Sequence, residues 1–176
     1  MQKVADAIYD EIDDLYRKAN ILLGMWMRSV AEREFNRNYS DYNNRESTHY
    51  EVRLEFSGIN FKIRWFEFQF VKRGSKTLRI SKSVHTPESG KLKMSQFKSA
   101  DEWELRLIEQ LESAFGTIRH QLKYLAKAHN SIVWAAKVNK TPLEVKHIKD
   151  RVERSHRSIK SIKESMKSSM DAFEIS

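Results

Sequence analysis

One run of fourteen residues, Asn60–Arg73, restricts the fold of this chain more than any other. Aromatic and β-branched side chains dominate the run and it has neither Gly nor Pro, so it predicts a β-strand. Its apolar residues form two alternating sets, first Phe61, Ile63 and Trp65, then Phe66, Phe68 and Phe70. Side chains alternate strictly across a strand, so the change of face after Trp65 indicates either a β-bulge there or a strand that is apolar on both faces.

Two shorter alternating runs flank this strand and supply its partners. Residues 50–56 alternate apolar with charged side chains and end at a turn containing Gly58. Residues 77–84 follow a turn at Gly74, with Leu78 and Ile80 expected on the side of the core. Three consecutive strands joined by short turns predict an antiparallel meander over residues 49–84.

Three segments have the apolar periodicity of long helices: residues 1–35, 99–138 and 142–174. The second begins with a potential capping box of Ser99 and Glu102, and the third with Thr141 and Glu144 around a proline. We therefore predict one α+β domain over residues 1–176. It has a long N-terminal helix, a three-stranded antiparallel sheet, and two long C-terminal helices packed on one sheet face.

The last helical segment follows a heptad pattern, which predicts either a helix packed on its own domain or a self-associating coiled coil. In the second case the chain is a homodimer. The residues predicted to form that interface are Val145, Ile148, Val152, Ile159, Ile162 and Met166.

Composition indicates a cytoplasmic protein without a membrane segment. No apolar run approaches the roughly 20 residues that a membrane-spanning helix needs. The chain has no Cys, which fits a reducing compartment and excludes disulfides and thiolate chemistry.

No residue pattern indicates catalysis, a metal or a cofactor. The six His residues lack the spacing of a metal site, and the chain has no phosphate-binding glycine loop. Tyr39 and Tyr42, in a predicted loop over residues 36–48, resemble DNA-cleaving nucleophiles only superficially, since no His cluster accompanies them. We expect a protein that is not an enzyme.

The positive charge is concentrated in the middle of the chain. Residues 50–98 contain eleven Lys and Arg against four Glu, a net charge of +7 within a total of +8. Such a local excess predicts a surface for a polyanion. The alternative is a solvated sheet face whose charges prevent edge-to-edge aggregation. A second candidate surface is the last helix, where cations such as Lys160 and Lys163 are interleaved with acids.

An antiparallel sheet can enter the major groove of DNA, and Arg can hold guanine by two hydrogen bonds. We predict that Arg64 and Arg79 read bases and that cations of the second turn bind phosphates. The full predicted DNA-binding set is Arg53, Lys62, Arg64, Lys72, Arg73, Lys76, Arg79, Lys82, Lys91 and Lys93.

Residues 61–125 resemble the MobI-type auxiliary mobilisation proteins of integrative conjugative elements and conjugative plasmids. The residues that carry the resemblance are Ile63, Arg64, Trp65, Phe66, Ser81, Lys82, the run 98–104, Ile118 and Arg119. The resemblance implies an accessory factor that starts DNA transfer at the origin of transfer, beside a separate relaxase. It implies no particular site residue.

The sequence and the resemblance together predict an accessory protein that binds double-stranded DNA at the origin of transfer and assists relaxosome assembly. Two alternatives remain open at this stage. One is a protein–protein adaptor that recruits the relaxase or a coupling protein through its helices, and the other is an inhibitor that binds RNA.

Overall fold

The computed structural model describes residues 1–37, 40 and 48–174, which form three helices and one sheet. The predicted α+β class and three-stranded antiparallel sheet are confirmed. The elements are α1 (Gln2–Phe35), β1 (Tyr50–Ser57), β2 (Asn60–Arg73), β3 (Lys76–Ser83), α2 (Glu102–Val138) and α3 (Ile159–Glu174), with short 3₁₀ turns at Met94–Gln96 and Ile148–Asp150. Tyr39 and Tyr42 lie outside the described residues.

The sheet has strand order β1-β2-β3, and β2 is much longer than either neighbour. β1 pairs with residues 60–67 of β2, and β3 pairs with residues 66–73. Both registers run without interruption, so there is no bulge at Trp65. The other interpretation is correct: β2 is apolar on both faces. One half of β2 is thus flanked by β1, and the other half forms a two-stranded ribbon with β3.

Trp65 lies at the centre of the core. Its ring contacts Trp26 of α1 edge-to-face at 4.9 Å between centroids, and it also meets Phe97, which precedes α2, and Phe115 of α2. Edge-to-face pairs of this kind add to the stabilisation from apolar burial. α1 and α2 are therefore the helices that bury the first half of β2, while α3 packs mainly against α1.

The predicted helix over residues 142–174 is wrong in its first half. α2 ends at Val138, residues 141–147 have no regular secondary structure, and α3 begins only at Ile159. Ile148 is fully buried, and its N–H donates to the carbonyl of Gly58 at 2.9 Å. Burial in the domain core outweighs the heptad pattern here.

Arg151 fastens the same segment to α1. Its guanidinium donates to both carboxylate oxygens of Asp13 at 2.8–3.1 Å and to the carbonyl of Ile59 at 2.9 Å. The predicted interface residues Val145, Ile148 and Val152 therefore do not lie on a helix. Val145 is exposed in a segment without regular secondary structure, and Ile159, Ile162 and Met166 are partly buried on α3.

The predicted capping box at the start of α2 is also wrong. The helix begins at Glu102 with Asp101 as its N-cap, and Ser99 does not cap it. The Ser99 hydroxyl instead donates to Glu67 of β2, and its N–H donates to the Tyr50 hydroxyl at 3.2 Å. Ser99 thus connects the start of α2 to the sheet.

We expect the Arg151–Asp13 pair to be essential for stability, because both side chains are about one-tenth exposed. Arg151→Ala leaves a buried carboxylate without its partner and should cost about 3–5 kcal/mol in urea unfolding. Lys146→Ala removes the more exposed ion pair to Asp6 in the same segment and should change the midpoint little. Equal shifts in the two variants would contradict this account.

Candidate nucleic-acid interface

The second half of β2 and β3 form a ribbon that projects beyond the helices; we define the ribbon as residues 68–82. Every residue from Gln69 to Lys82 is exposed. The turn at its tip contains Gly74, whose φ of +61° favours glycine. At about 3.4 Å per residue, the five steps from Phe68 to Arg73 give the ribbon a length of about 17 Å.

The ribbon carries five cations and no carboxylate. No Asp or Glu occurs between Glu67 and Glu88. The five are Lys72, Arg73, Lys76, Arg79 and Lys82, all in the predicted DNA-binding set. Within the described part of the chain, no ion pair neutralises any of them. The ribbon is therefore a concentrated positive surface.

The two faces of the ribbon differ. The register places Phe68, Phe70 and Arg79 on the face opposite the helices, with the Arg79 guanidinium 3.5 Å above the Phe68 ring. Leu78 and Ile80 lie on the helix side, as predicted, but the helices do not cover them and they are 40% and 45% exposed. The predicted side of the sheet is therefore correct, but the prediction that a helical layer covers these two residues is wrong, because β3 extends past the helices.

Three residues of the predicted DNA-binding set lie outside the ribbon, on β1 and the first half of β2, where two carboxylates lie beside them. Arg53 pairs with Glu51, and Arg64 donates to Glu55 at 3.0 Å and to the Ser83 hydroxyl at 2.9 Å. Lys62 stands directly opposite Glu55 in the register. This part of the sheet has mixed charge, and its two arginines already have partners.

The remaining predicted lysines, Lys91 and Lys93, are exposed on the connection between β3 and α2 and do not belong to the ribbon. The cations of the last helix are largely paired: Lys163 with Glu34 at 2.9 Å and Lys160 with Glu164 at 3.9 Å. A groove of about 670 Å³ along β1 is lined by Arg79 of the ribbon and by cations near α3. The ribbon and the last helix, which are the two candidate DNA-binding surfaces, therefore adjoin each other.

Buried charges hold the base of the ribbon in place. The fully buried carboxylate of Glu104 accepts the N–H groups of His49 and Tyr50, at 3.0 and 2.9 Å, where β1 begins. Glu112 accepts the Trp65 indole N–H at 2.6 Å and pairs with Arg119, which also donates to the Ile63 carbonyl at 3.1 Å.

The sequence patterns above did not predict a role for either buried carboxylate, although a signal was present. Glu104 lies four residues before Ile108, and Glu112 lies three before Phe115, both on or beside the apolar stripe of α2. A charged side chain on such a stripe is seldom buried unless it has partners. Such positions therefore predict hydrogen-bonding roles inside the core.

A family model described as MobI protein matches residues 15–133 of the chain. The match covers more than half of the chain, and the chain belongs to the MobI family. It extends from α1 through the sheet and the ribbon to near the end of α2, so the predicted resemblance is confirmed. Membership gives the protein a role connected with DNA mobilisation. Searches of curated proteins and of solved structures found no match.

In the described residues no helix is long and apolar enough to cross a membrane. The same part of the chain has no group of three or more His, Asp or Glu residues arranged to hold a metal ion.

We expect the stability of the ribbon base to depend on pH through Glu104. Burial raises the pKa of this carboxyl from 4.5 to about 7, so the folded state binds its proton more tightly than the unfolded state. The resulting stabilisation is complete below pH 4.5 and is lost as pH rises through 7, an effect of up to about 3 kcal/mol.

Urea unfolding between pH 4.5 and 8 measures this effect. Glu104→Gln keeps an acceptor for both N–H groups but cannot titrate, so its stability should vary less over this range. Glu109→Gln, at an exposed position on the same helix, is the control and should retain the pH dependence of the parent. An unchanged slope in Glu104→Gln would reject this role.

Proposed function

We propose that this protein is an accessory DNA-binding protein that recognises the origin of transfer and assists relaxosome assembly, with the ribbon as its DNA-binding element. One observation carries the proposal: a projecting two-stranded ribbon, exposed from Gln69 to Lys82, with five cations and no carboxylate. In the proposal the chain binds DNA, and a separate relaxase cleaves the strand.

The shape of the ribbon suits the major groove, which is about 12 Å wide and admits a two-stranded β-ribbon. The chain continues on both sides of the ribbon into the buried part of the sheet, so the ribbon is mounted on a rigid base. An element held in this way loses little conformational freedom on binding, which favours affinity.

The cations of the ribbon have two different roles in this proposal. Lys72, Arg73 and Lys76 surround the tip and bind phosphates. Arg79 lies mid-strand with its guanidinium stacked on Phe68, which restricts its rotamers and orients it for a base edge. Arg64 is held by Glu55 and Ser83, so in this proposal it supports the ribbon and does not read a base.

We expect single Ala variants to separate these roles in binding titrations on origin DNA at several salt concentrations. Arg79→Ala should lose about 1–3 kcal/mol and relax specificity at one base position. Lys76→Ala should weaken binding to all sequences alike and reduce the salt slope by about one unit.

Lys98→Ala is the control, because Lys98 is an exposed cation outside the ribbon. Circular dichroism confirms that each variant is folded. If Lys160→Ala with Lys163→Ala abolishes binding while the ribbon variants bind like the parent, the last helix is the DNA-binding element. If no variant changes DNA binding but origin DNA is retained only through a bound relaxase, the protein is an adaptor.

A further inference from the structure

Exposed large apolar side chains outside the ribbon are concentrated on two helices. Val4, Ile21 and Met25 on α1 are 53–64% exposed, and Tyr124, Trp134 and Val138 on α2 are 55–76% exposed. Scattered exposed apolar residues are ordinary, but residues aligned along one face of a helix indicate a contact surface.

The exposed residues of α1 form a seam with alternating spacings of three and four, which is the spacing of helix–helix contacts. We call it the α1 seam, with members Val4, Ala7, Glu11, Asp14, Lys18, Ile21 and Met25. Its first half is acidic, since Asp10 is exposed beside Glu11 and Asp14, and of these three Asp14 has an exposed ion pair with Arg17. Lys18 is its only cation.

α2 carries an exposed seam of the same spacing and of opposite charge. We call it the α2 seam, with members Tyr124, Lys127, Ser131, Trp134 and Val138. The Lys127 ammonium lies 5.4 Å from the Tyr124 ring, and the Lys137 ammonium lies 5.1 Å from the Trp134 ring. The chain has no Asp or Glu between Glu112 and Glu144, so nothing in this segment offsets the positive charge.

The α2 seam lies beside the first half of the α1 seam, because α1 and α2 run antiparallel with Tyr9 next to His129 and Arg33 next to Trp103. The Tyr9 hydroxyl and His129 Nε2 are 2.8 Å apart, so the first half of α1 lies beside the second half of α2. These two residues are buried, and they belong to the faces that pack within one chain. The seams use other faces of the same helices and are left exposed.

We propose that two copies of this chain associate through these seams, the α1 seam of each copy on the α2 seam of the other. A two-fold axis makes both contacts equivalent, as in isologous dimers. The exposed carboxylates of Glu11 and Asp14 meet Lys127, Lys137 adds to the positive charge of the α2 surface further along the helix, and the apolar members pack beside these contacts. This interface replaces the one predicted through Val145 and Ile148, and it does not depend on DNA binding.

Charge reversal tests the pairing by sedimentation velocity of the full chain. The α1 variant Glu11→Lys with Asp14→Lys and the α2 variant Lys127→Glu with Lys137→Glu should each raise the dimer dissociation constant at least tenfold. An equimolar mixture of the two should recover a heterodimer, because both contacts between the two variants are again complementary.

Two controls exclude trivial causes. Lys98→Glu with Lys149→Glu reverses two exposed cations outside the seams and should leave the dimer intact. Thermal unfolding should show that every variant is folded. A parent protein that is monomeric at 100 µM, variants that dimerise like the parent, or a mixture that stays monomeric would each overturn the proposal. The proposal would also be overturned if the parent were monomeric and the α2 variant lost DNA binding, because the α2 seam would then contact nucleic acid.

Discussion

The unequal length of the three strands determines the rest of the structure. β2 has fourteen residues and its neighbours have eight each, paired to opposite halves of it. Only the half beside β1 lies under α1 and α2, where Trp65 meets an aromatic ring from each of these two helices. None of the helices in the described part of the chain covers the other half, which projects with β3 as a cationic ribbon. One strand therefore supplies both the centre of the core and the candidate DNA-binding element.

Buried charged side chains connect the core to the strand that continues into the ribbon. Glu112 binds the indole of Trp65 and the guanidinium of Arg119, and Arg119 also binds the backbone of β2. A buried carboxylate is costly unless it is paired and hydrogen-bonded, and here both conditions hold. Because these bonds fix β2 relative to α2, the direction of the ribbon is set by the core and not by its exposed residues.

Local patterns predicted the elements well and their tertiary partners poorly. Alternation and helical periodicity identified α1, the meander and α2, because each has a long apolar face. The heptad pattern after Thr141 led to a wrong prediction, since Ile148 packs beside Gly58, 90 positions away, and Arg151 binds Asp13, 138 positions away. The charge count located the cationic segment, but only the structure separated Arg53 and Arg64, which have ion pairs, from the ribbon cations, which have none among the described residues.

Site-specific photo-crosslinking tests the central claim, that the ribbon is the DNA-binding element, most directly. A benzophenone amino acid replaces Phe70, 70% exposed on the ribbon, or Trp134, 67% exposed on α2, and each protein is irradiated with origin DNA. We predict DNA adducts from position 70 and none from position 134. DNA adducts from position 134 with none from position 70 would contradict the assignment of the ribbon.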